Sequence, residues 1–117
     1  MEFIKVDKEK ISDLEINANE DVEVYLLKNK DILLGYGIIN ERLKDNIIYI
    51  YVYNEYRSNG YGSIIFKYLY DVLKGKGIKE LLFTIDSNNR FNNIIFKYNA
   101  IHLGTKNGVI KYVVVVK

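Results

Sequence analysis

The sequence predicts one mixed α/β domain, and three stretches carry that prediction. Ile47 to Tyr53 alternates, with Ile48, Ile50 and Val52 on one side and Tyr49, Tyr51 and Tyr53 on the other. A period of two is that of a strand with two different faces. Ile65, Phe66, Leu69, Val72 and Leu73 fall at i, i+1, i+4, i+7 and i+8, one stripe along a helix. Leu81 to Ile85 is an apolar run of strand length, the pattern of a strand buried on both faces. Strand, helix and strand in this order predict a right-handed crossover and a parallel pair.

The other elements follow in chain order. Glu2 to Val6 alternates and reads as a short strand. Asp7 to Asp21 is polar, and Ile11, Leu14 and Ile16 are too sparse for more than a turn or two of helix. Val22 to Leu27 and Ile32 to Ile39 are apolar stretches joined by Asn29-Lys30-Asp31, a hairpin turn. Polar Asn40 to Asn46 leads into the tyrosine strand. Gly75 and Gly77 stop the helix, with Lys74 and Lys76 suited to the negative end of its dipole. Phe91, Ile94, Ile95 and Tyr98 recur at i, i+3, i+4 and i+7, a second helix behind an Asn88 cap. Ala100 to Leu103 and Val109 to Val116 close the chain as strands around an Asn107-Gly108 turn. The valines at 113–116 read as a buried strand, since an open edge of four valines invites aggregation.

Composition narrows the function classes. At 117 residues the chain is one ordinary domain, with no repeat and no linker. Apolar residues at 49%, charged residues at 27% and only 8 Gly with no Pro exclude disorder and low complexity. The absence of cysteine excludes disulfide scaffolds, thiolate metal sites and cysteine nucleophiles, and no metal is expected. A net charge of +2 falls short of a nucleic-acid footprint. No apolar run reaches a membrane span, and the alternating amino terminus does not read as a signal peptide. A cytoplasmic domain is the expectation. Arginine is scarce, at three residues against fourteen lysines, so each is worth inspecting.

The chemistry gathers between the tyrosine strand and the helix, in Val52-Tyr53-Asn54-Glu55-Tyr56-Arg57-Ser58-Asn59-Gly60-Tyr61-Gly62-Ser63. The first amides of a helix lack internal partners and carry the positive end of its dipole. Glycine lets the backbone approach a bulky anion, and an arginine adds a guanidinium that can grip phosphate oxygens. This is a site for a phosphate or diphosphate. The plainer alternative is a tight strand-to-helix turn whose glycines serve packing.

Valine, four residues, Arg57, two residues, Gly60-x-Gly62 after an alternating strand resembles the acetyl-CoA signature of the GNAT N-acetyltransferases. Asn54 stands where that family usually has proline, and Ser58 where it often has glycine. The resemblance implies an acyl-CoA N-acyltransferase fold: a central mixed, largely antiparallel sheet with two main helices, opened in a V between strands 47–53 and 81–85. It implies that the pantetheine arm pairs with the backbone near Val52 and Tyr53. The diphosphate would lie on the amides of Arg57, Ser58, Asn59, Gly60, Tyr61, Gly62 and Ser63, with Asn89 ordering the cofactor end of the cleft. The expected reaction is acetyl transfer from acetyl-CoA to a primary amine.

Two departures from the family pattern bear on catalysis. The late family signature, aligned from Asn89, puts Phe96 where a proton-donating tyrosine is usual, with Ala100 at the glycine and Ile101 at the phenylalanine. Tyr98 is then the candidate acid, on condition that the helix ends early; otherwise it is a core residue of the stripe. Without an acid the chain would bind acyl-CoA and not turn it over. Glu41, Glu55, Asp86 and His102 are the candidate bases, each also readable as a surface or hydrogen-bonded residue. The segment between the first two strands is shorter than in the family, which would leave the face of Tyr49, Tyr51 and Tyr53 open to a homodimer and the acceptor site open to a large substrate.

Overall fold

The structure is a computed structural model, and it describes residues 1–7 and 22–117. The turn or two of helix expected over Asp7 to Asp21 lies outside them. Among the described residues, seven strands and two helices follow the expected order: β1 (Glu2–Lys5), β2 (Val22–Asn29), β3 (Ile32–Asn40), β4 (Ile48–Val52), α1 (Tyr61–Gly75), β5 (Glu80–Asp86), α2 (Phe91–Phe96), β6 (Ile101–Lys106) and β7 (Val109–Val115). A short 3₁₀ turn, Asn54–Tyr56, separates β4 from α1.

The expected parallel pair is not formed. β4 ends a four-stranded sheet in the order β1-β2-β3-β4, and β5 begins a three-stranded sheet in the order β5-β7-β6. Every strand pairing among the described residues is antiparallel. The two sheets meet at Asn46, immediately before β4. Its backbone N–H donates to Leu82 at 2.9 Å, its side-chain amide donates to the Thr84 carbonyl at 3.1 Å, and its Oδ1 accepts from the Thr84 N–H at 3.0 Å. One asparagine stands in for the first rungs of a ladder, and past it the strands splay. The V expected from the family resemblance is therefore present, and its vertex is a side chain.

Helix α1 closes one face of the first sheet. Ile65, Phe66, Leu69 and Leu73 have no exposed surface, and burying each stabilises the fold by about 1.5–3 kcal/mol. The helix approaches closely because β3 carries glycine where they meet; a Cβ at Gly37 would lie 2.6 Å from Leu69 and 2.7 Å from Ile65. Gly75 is the last helical residue, not a stop. Gly77, at φ +84°, ends the helix, its N–H donating to Lys74 and that of Ile78 to Leu73.

Two expectations for the second half change. In β5 only Leu81, Phe83 and Ile85 are buried, while Leu82 and Thr84 are half-buried on the opposite face, so the strand is covered fully on one side alone. Helix α2 spans only six residues, and Asn88 does not cap it. Instead Asn89 Oδ1 accepts the Phe91 N–H at 2.9 Å, and the buried Asn92 amide donates to the carbonyls of Asp86 and Asn89. The valine run is only partly as expected: β7 is the inner strand of its sheet and Val114 is fully buried, but Val113 and Val116 are half-buried and Val115 is exposed.

A charge cluster ties the end of α1 to β2. Lys76 pairs with Glu23 and reaches Glu41 at 3.4 Å, while the Tyr25 hydroxyl donates to Glu23 at 2.6 Å and Lys5 lies 3.9 Å away. Burial alone would raise the Glu23 pKa, but Lys76, Tyr25 and Lys5 together outweigh it and hold the carboxyl below its ordinary value. A depressed folded pKa contributes stability above the unfolded value and loses it as pH falls through the folded one. Glu23→Gln is therefore expected to lower the urea midpoint at neutral pH, by about 1 kcal/mol of stability or less. The gap to wild type should close as the solution is acidified below the carboxylate range.

Candidate functional site

The splay between β4 and β5 leaves one edge of β4 without a strand partner among the described residues, and hydrogen bonding shows which groups face it. Tyr53 N–H donates to Leu34 at 3.1 Å and the Ile47 carbonyl accepts from Asn40 at 2.8 Å. Bonded residues alternate along an antiparallel pair, so positions 47, 49, 51 and 53 turn their backbones to β3. Ile48, Ile50 and Val52 turn theirs to the opening. The tyrosine side chains project on the face away from α1, where Tyr36 stacks on Tyr51 with centroids 5.3 Å apart and Tyr53 meets Tyr51 edge-on at 5.2 Å.

Beyond Val52 the chain turns through Asn54–Tyr56 into α1. Ser58 at φ +66° and Gly60 at φ +81° make the bend. The side-chain amide of Asn59 donates to the carbonyls of Tyr56 at 3.1 Å and Arg57 at 3.2 Å, holding both oxygens inside the loop. Gly60 is the N-cap of α1 and supplies no side-chain oxygen, and the first backbone bond of the helix runs from the Ile64 N–H to Gly60. Among the described residues, the amides of Tyr61, Gly62 and Ser63 thus have neither a helical partner nor a capping one. Glycine at 62 keeps the approach clear, since a Cβ there would reach within 3.3 Å of Ile94 Cδ1 across the cleft.

The open strand edge and the open helix start line a single cleft of about 800 Å³. Ile50, Tyr51, Val52, Asn54, Tyr56, Arg57, Ser58, Gly60, Tyr61, Gly62 and Ser63 form one wall; Asn89, Arg90, Phe91 and Ile94 form the other. The size suits a cofactor arm, and the chemistry suits an anion beside an extended amide chain. Val52, Arg57, Ser58, Gly60, Tyr61, Gly62, Ser63 and Asn89, all named from the sequence, are gathered here. Asn59 acts from behind, through its loop bonds.

A family comparison identifies the chain: residues 2–94 match the acetyltransferase (GNAT) family. The chain belongs to that family. A comparison with curated proteins finds no match. Among solved structures, an N-acetyltransferase from Staphylococcus aureus Mu50 is 18% identical, with a TM-score of 0.73 over 99% of this chain and 98% of that one. The yncA protein of Salmonella typhimurium, solved with its cofactor acetyl-CoA, is 12% identical, with a TM-score of 0.73 over 100% of this chain and 94% of its own. The PaiA N-acetyltransferase of Thermoplasma acidophilum, in complex with coenzyme A, is 15% identical, with a TM-score of 0.61 over 80% and 60% of the two chains. At these identities the likeness establishes the GNAT fold.

Within that fold several residues sit otherwise than the sequence implied. The Tyr53 backbone is not open to an added strand, because its N–H is bonded to Leu34 and its carbonyl accepts the Tyr56 N–H at 2.9 Å. The open groups belong to Ile50 and to the Val52 N–H. Arg57 does not extend freely toward an anion: its Nε donates to the Val52 carbonyl at 2.9 Å, and its guanidinium lies 5.5 Å over the Tyr51 ring.

Tyr98 follows the early end of α2 that its candidacy required, yet it is not among the cleft-lining residues. Its ring packs 4.7 Å from Phe66 and 4.9 Å from Tyr70. Burial raises its pKa, with Lys67 opposing and Asp71 reinforcing. Phe96 is half-exposed and sets its ring edge-on to Tyr112 at 5.5 Å.

The four candidate bases also lie off the cleft lining. Glu41 faces Lys76, Glu55 is exposed on the 3₁₀ turn, and Asp86 uses its carbonyl to hold Asn92. His102 Nε2 shares a hydrogen bond with the Thr105 hydroxyl at 2.7 Å. Ile50, Tyr51, Asn54, Tyr56, Arg90, Phe91 and Ile94 were missed in the sequence. For Arg90 the signal was arginine scarcity; for Ile50, the same alternation that marked Val52.

Proposed function

We propose that this GNAT protein is an N-acetyltransferase that moves an acetyl group from acetyl-CoA to a primary amine of a small molecule or a protein. The observation that carries the reading is the meeting, in one cleft, of an unpaired β4 edge and the uncapped amides of α1. An extended arm carrying amides can pair with Ile50 and Val52 as an added strand. A diphosphate can rest on the amides of Tyr61, Gly62 and Ser63 at the positive end of the helix. Tyr53, Arg57, Ser58, Asn59 and Gly60 shape that loop, and Asn89 stands opposite. The relatives solved with acetyl-CoA and with coenzyme A support the choice of cofactor.

In the reaction the neutral amine attacks the thioester carbonyl, the N–C bond forms, the C–S bond breaks, and the amine proton is lost as the thiolate gains one. An alkylammonium with a pKa near 10.4 is only about one part in a few thousand neutral at pH 7, so deprotonation is the step that needs help. The off-cleft positions of the candidate bases point to water as the carrier of that proton. The coenzyme thiolate, similar in basicity to cysteine at about 8.5, can leave without a dedicated acid. The same reading expects a cytoplasmic protein and a homodimer through the tyrosine face, where Tyr49 is 53% exposed.

A second reading, binding of acyl-CoA without turnover, is favoured by the placement of Phe96 and Tyr98. Thiol release from acetyl-CoA with a panel of primary amines decides between them. Turnover above the amine-free rate is expected, with Tyr98→Phe keeping the wild-type kcat; loss of a working proton donor would cost about 10²–10⁴-fold. Binding with no thiol release from any amine would leave the second reading.

A further inference from the structure

The cleft is lined by two of the three arginines, and they are in different states. Arg57 is held by the Val52 carbonyl and the Tyr51 ring. Arg90 stands on the opposite wall, immediately before α2, and its side chain is exposed. Its backbone carbonyl accepts the Asn93 N–H at 3.0 Å, and among the described residues its guanidinium makes no hydrogen bond, ion pair or ring contact. Asn89 and Asn92 explain why the position is nonetheless defined. Their side-chain bonds to Phe91 N–H and to the Asp86 and Asn89 carbonyls fix the backbone on either side of residue 90.

A free guanidinium at a fixed backbone position, across a cleft from uncapped helix amides, is suited to an anion that the amides only partly satisfy. Arginine forms charge-assisted, often bidentate bonds to phosphate oxygens. We infer that Arg90, rather than Arg57, is the side chain that recognises the phosphate groups of the cofactor, and that Arg57 positions the loop. This rests on the reading of the cleft as an acetyl-CoA site. It adds the residue that gives the site its charge selectivity. Two phosphate groups of the coenzyme are within the same chemistry, the diphosphate and the 3′-phosphate.

Calorimetric titration separates them. Full-length wild type, Arg90→Ala and Arg90→Lys are titrated with acetyl-CoA and with its 3′-dephospho form, at two or more salt concentrations. Arg90→Ala is expected to weaken acetyl-CoA binding about tenfold to a hundredfold, the range of a hydrogen bond to a charged group. Arg90→Lys should recover part of the loss. A deficit that vanishes with the 3′-dephospho form assigns Arg90 to the 3′-phosphate; an equal deficit with both assigns it to the diphosphate. In either case the affinity of Arg90→Ala should fall less steeply with salt than that of wild type.

Wild-type affinity in Arg90→Ala would overturn the inference, and so would a deficit with an unchanged salt slope, which marks a disturbed loop. If wild type itself does not bind acetyl-CoA, the proposed function fails, and this inference with it. If wild type binds and Arg90→Ala binds equally, this inference alone fails.

Discussion

Gly62→Glu is expected to abolish acetyl-CoA binding while leaving the fold intact. The position lies in the first turn of α1, where a carboxylate is favoured by the helix dipole, by about 0.3–1 kcal/mol at an exposed site. Its Cβ would touch only the flexible end of Ile94, at 3.3 Å. The same carboxylate would stand among the amides proposed to hold the diphosphate. Two like charges about 4 Å apart near a protein surface repel by about 4 kcal/mol, which corresponds to roughly three orders of magnitude in affinity. Titration calorimetry reads the loss, and a thermal melt at or above the wild-type midpoint shows that the variant is folded. Gly60→Glu should also lose binding, with an added cost to folding of about 1–2 kcal/mol because φ is +81° there. A folded Gly62→Glu protein with wild-type affinity would remove the site from this corner of the molecule.

The largest effect on stability is expected at Gly35. It lies opposite Val52 in the β3–β4 ladder. A Cβ there would collide with the Tyr51 carbonyl oxygen and come within 3.0 Å of Val52 Cα and 3.3 Å of Ile65 Cδ1. Side chains can turn aside, but strand backbone cannot without giving up its ladder bonds. Gly35→Ala should therefore fall at or beyond the upper end of overpacking costs, about 3 kcal/mol, and lower the thermal midpoint by about 10 °C or more. Because Val52 supplies part of the open edge, the same substitution should weaken acetyl-CoA binding at temperatures where the protein is still folded. A midpoint within a degree or two of wild type would mean that β3 and β4 are not packed as closely as described.

The contrast between these two glycines shows what local pattern can carry. Gly62 was legible as a candidate binding residue because Arg-x-x-Gly-x-Gly sits where a strand gives way to a helix, and that junction has its own chemistry. Gly35 gave no such sign, since its constraint comes from β4, sixteen or seventeen residues away along the chain. Asn46 was likewise invisible: it reads as one more polar residue in a loop, and its role exists only because Thr84 and Leu82 lie beside it. Tyr98 could be named as a candidate acid but not oriented, as the direction of its ring is decided by Phe66 and Tyr70.

By itself the sequence determined the order of the strands, the two faces of β4, the stripe of α1 and the glycine turn between them. Each depends on periodicity or on backbone groups within a few residues of one another. The tertiary structure alone decided that β4 and β5 part company at Asn46, that Arg57 turns back onto Val52 and Tyr51, and that Arg90 is left facing the cleft. The first depends on a contact between segments tens of residues apart, and the other two on which of several directions a long side chain takes, a choice that packing and hydrogen bonding make and the local pattern does not.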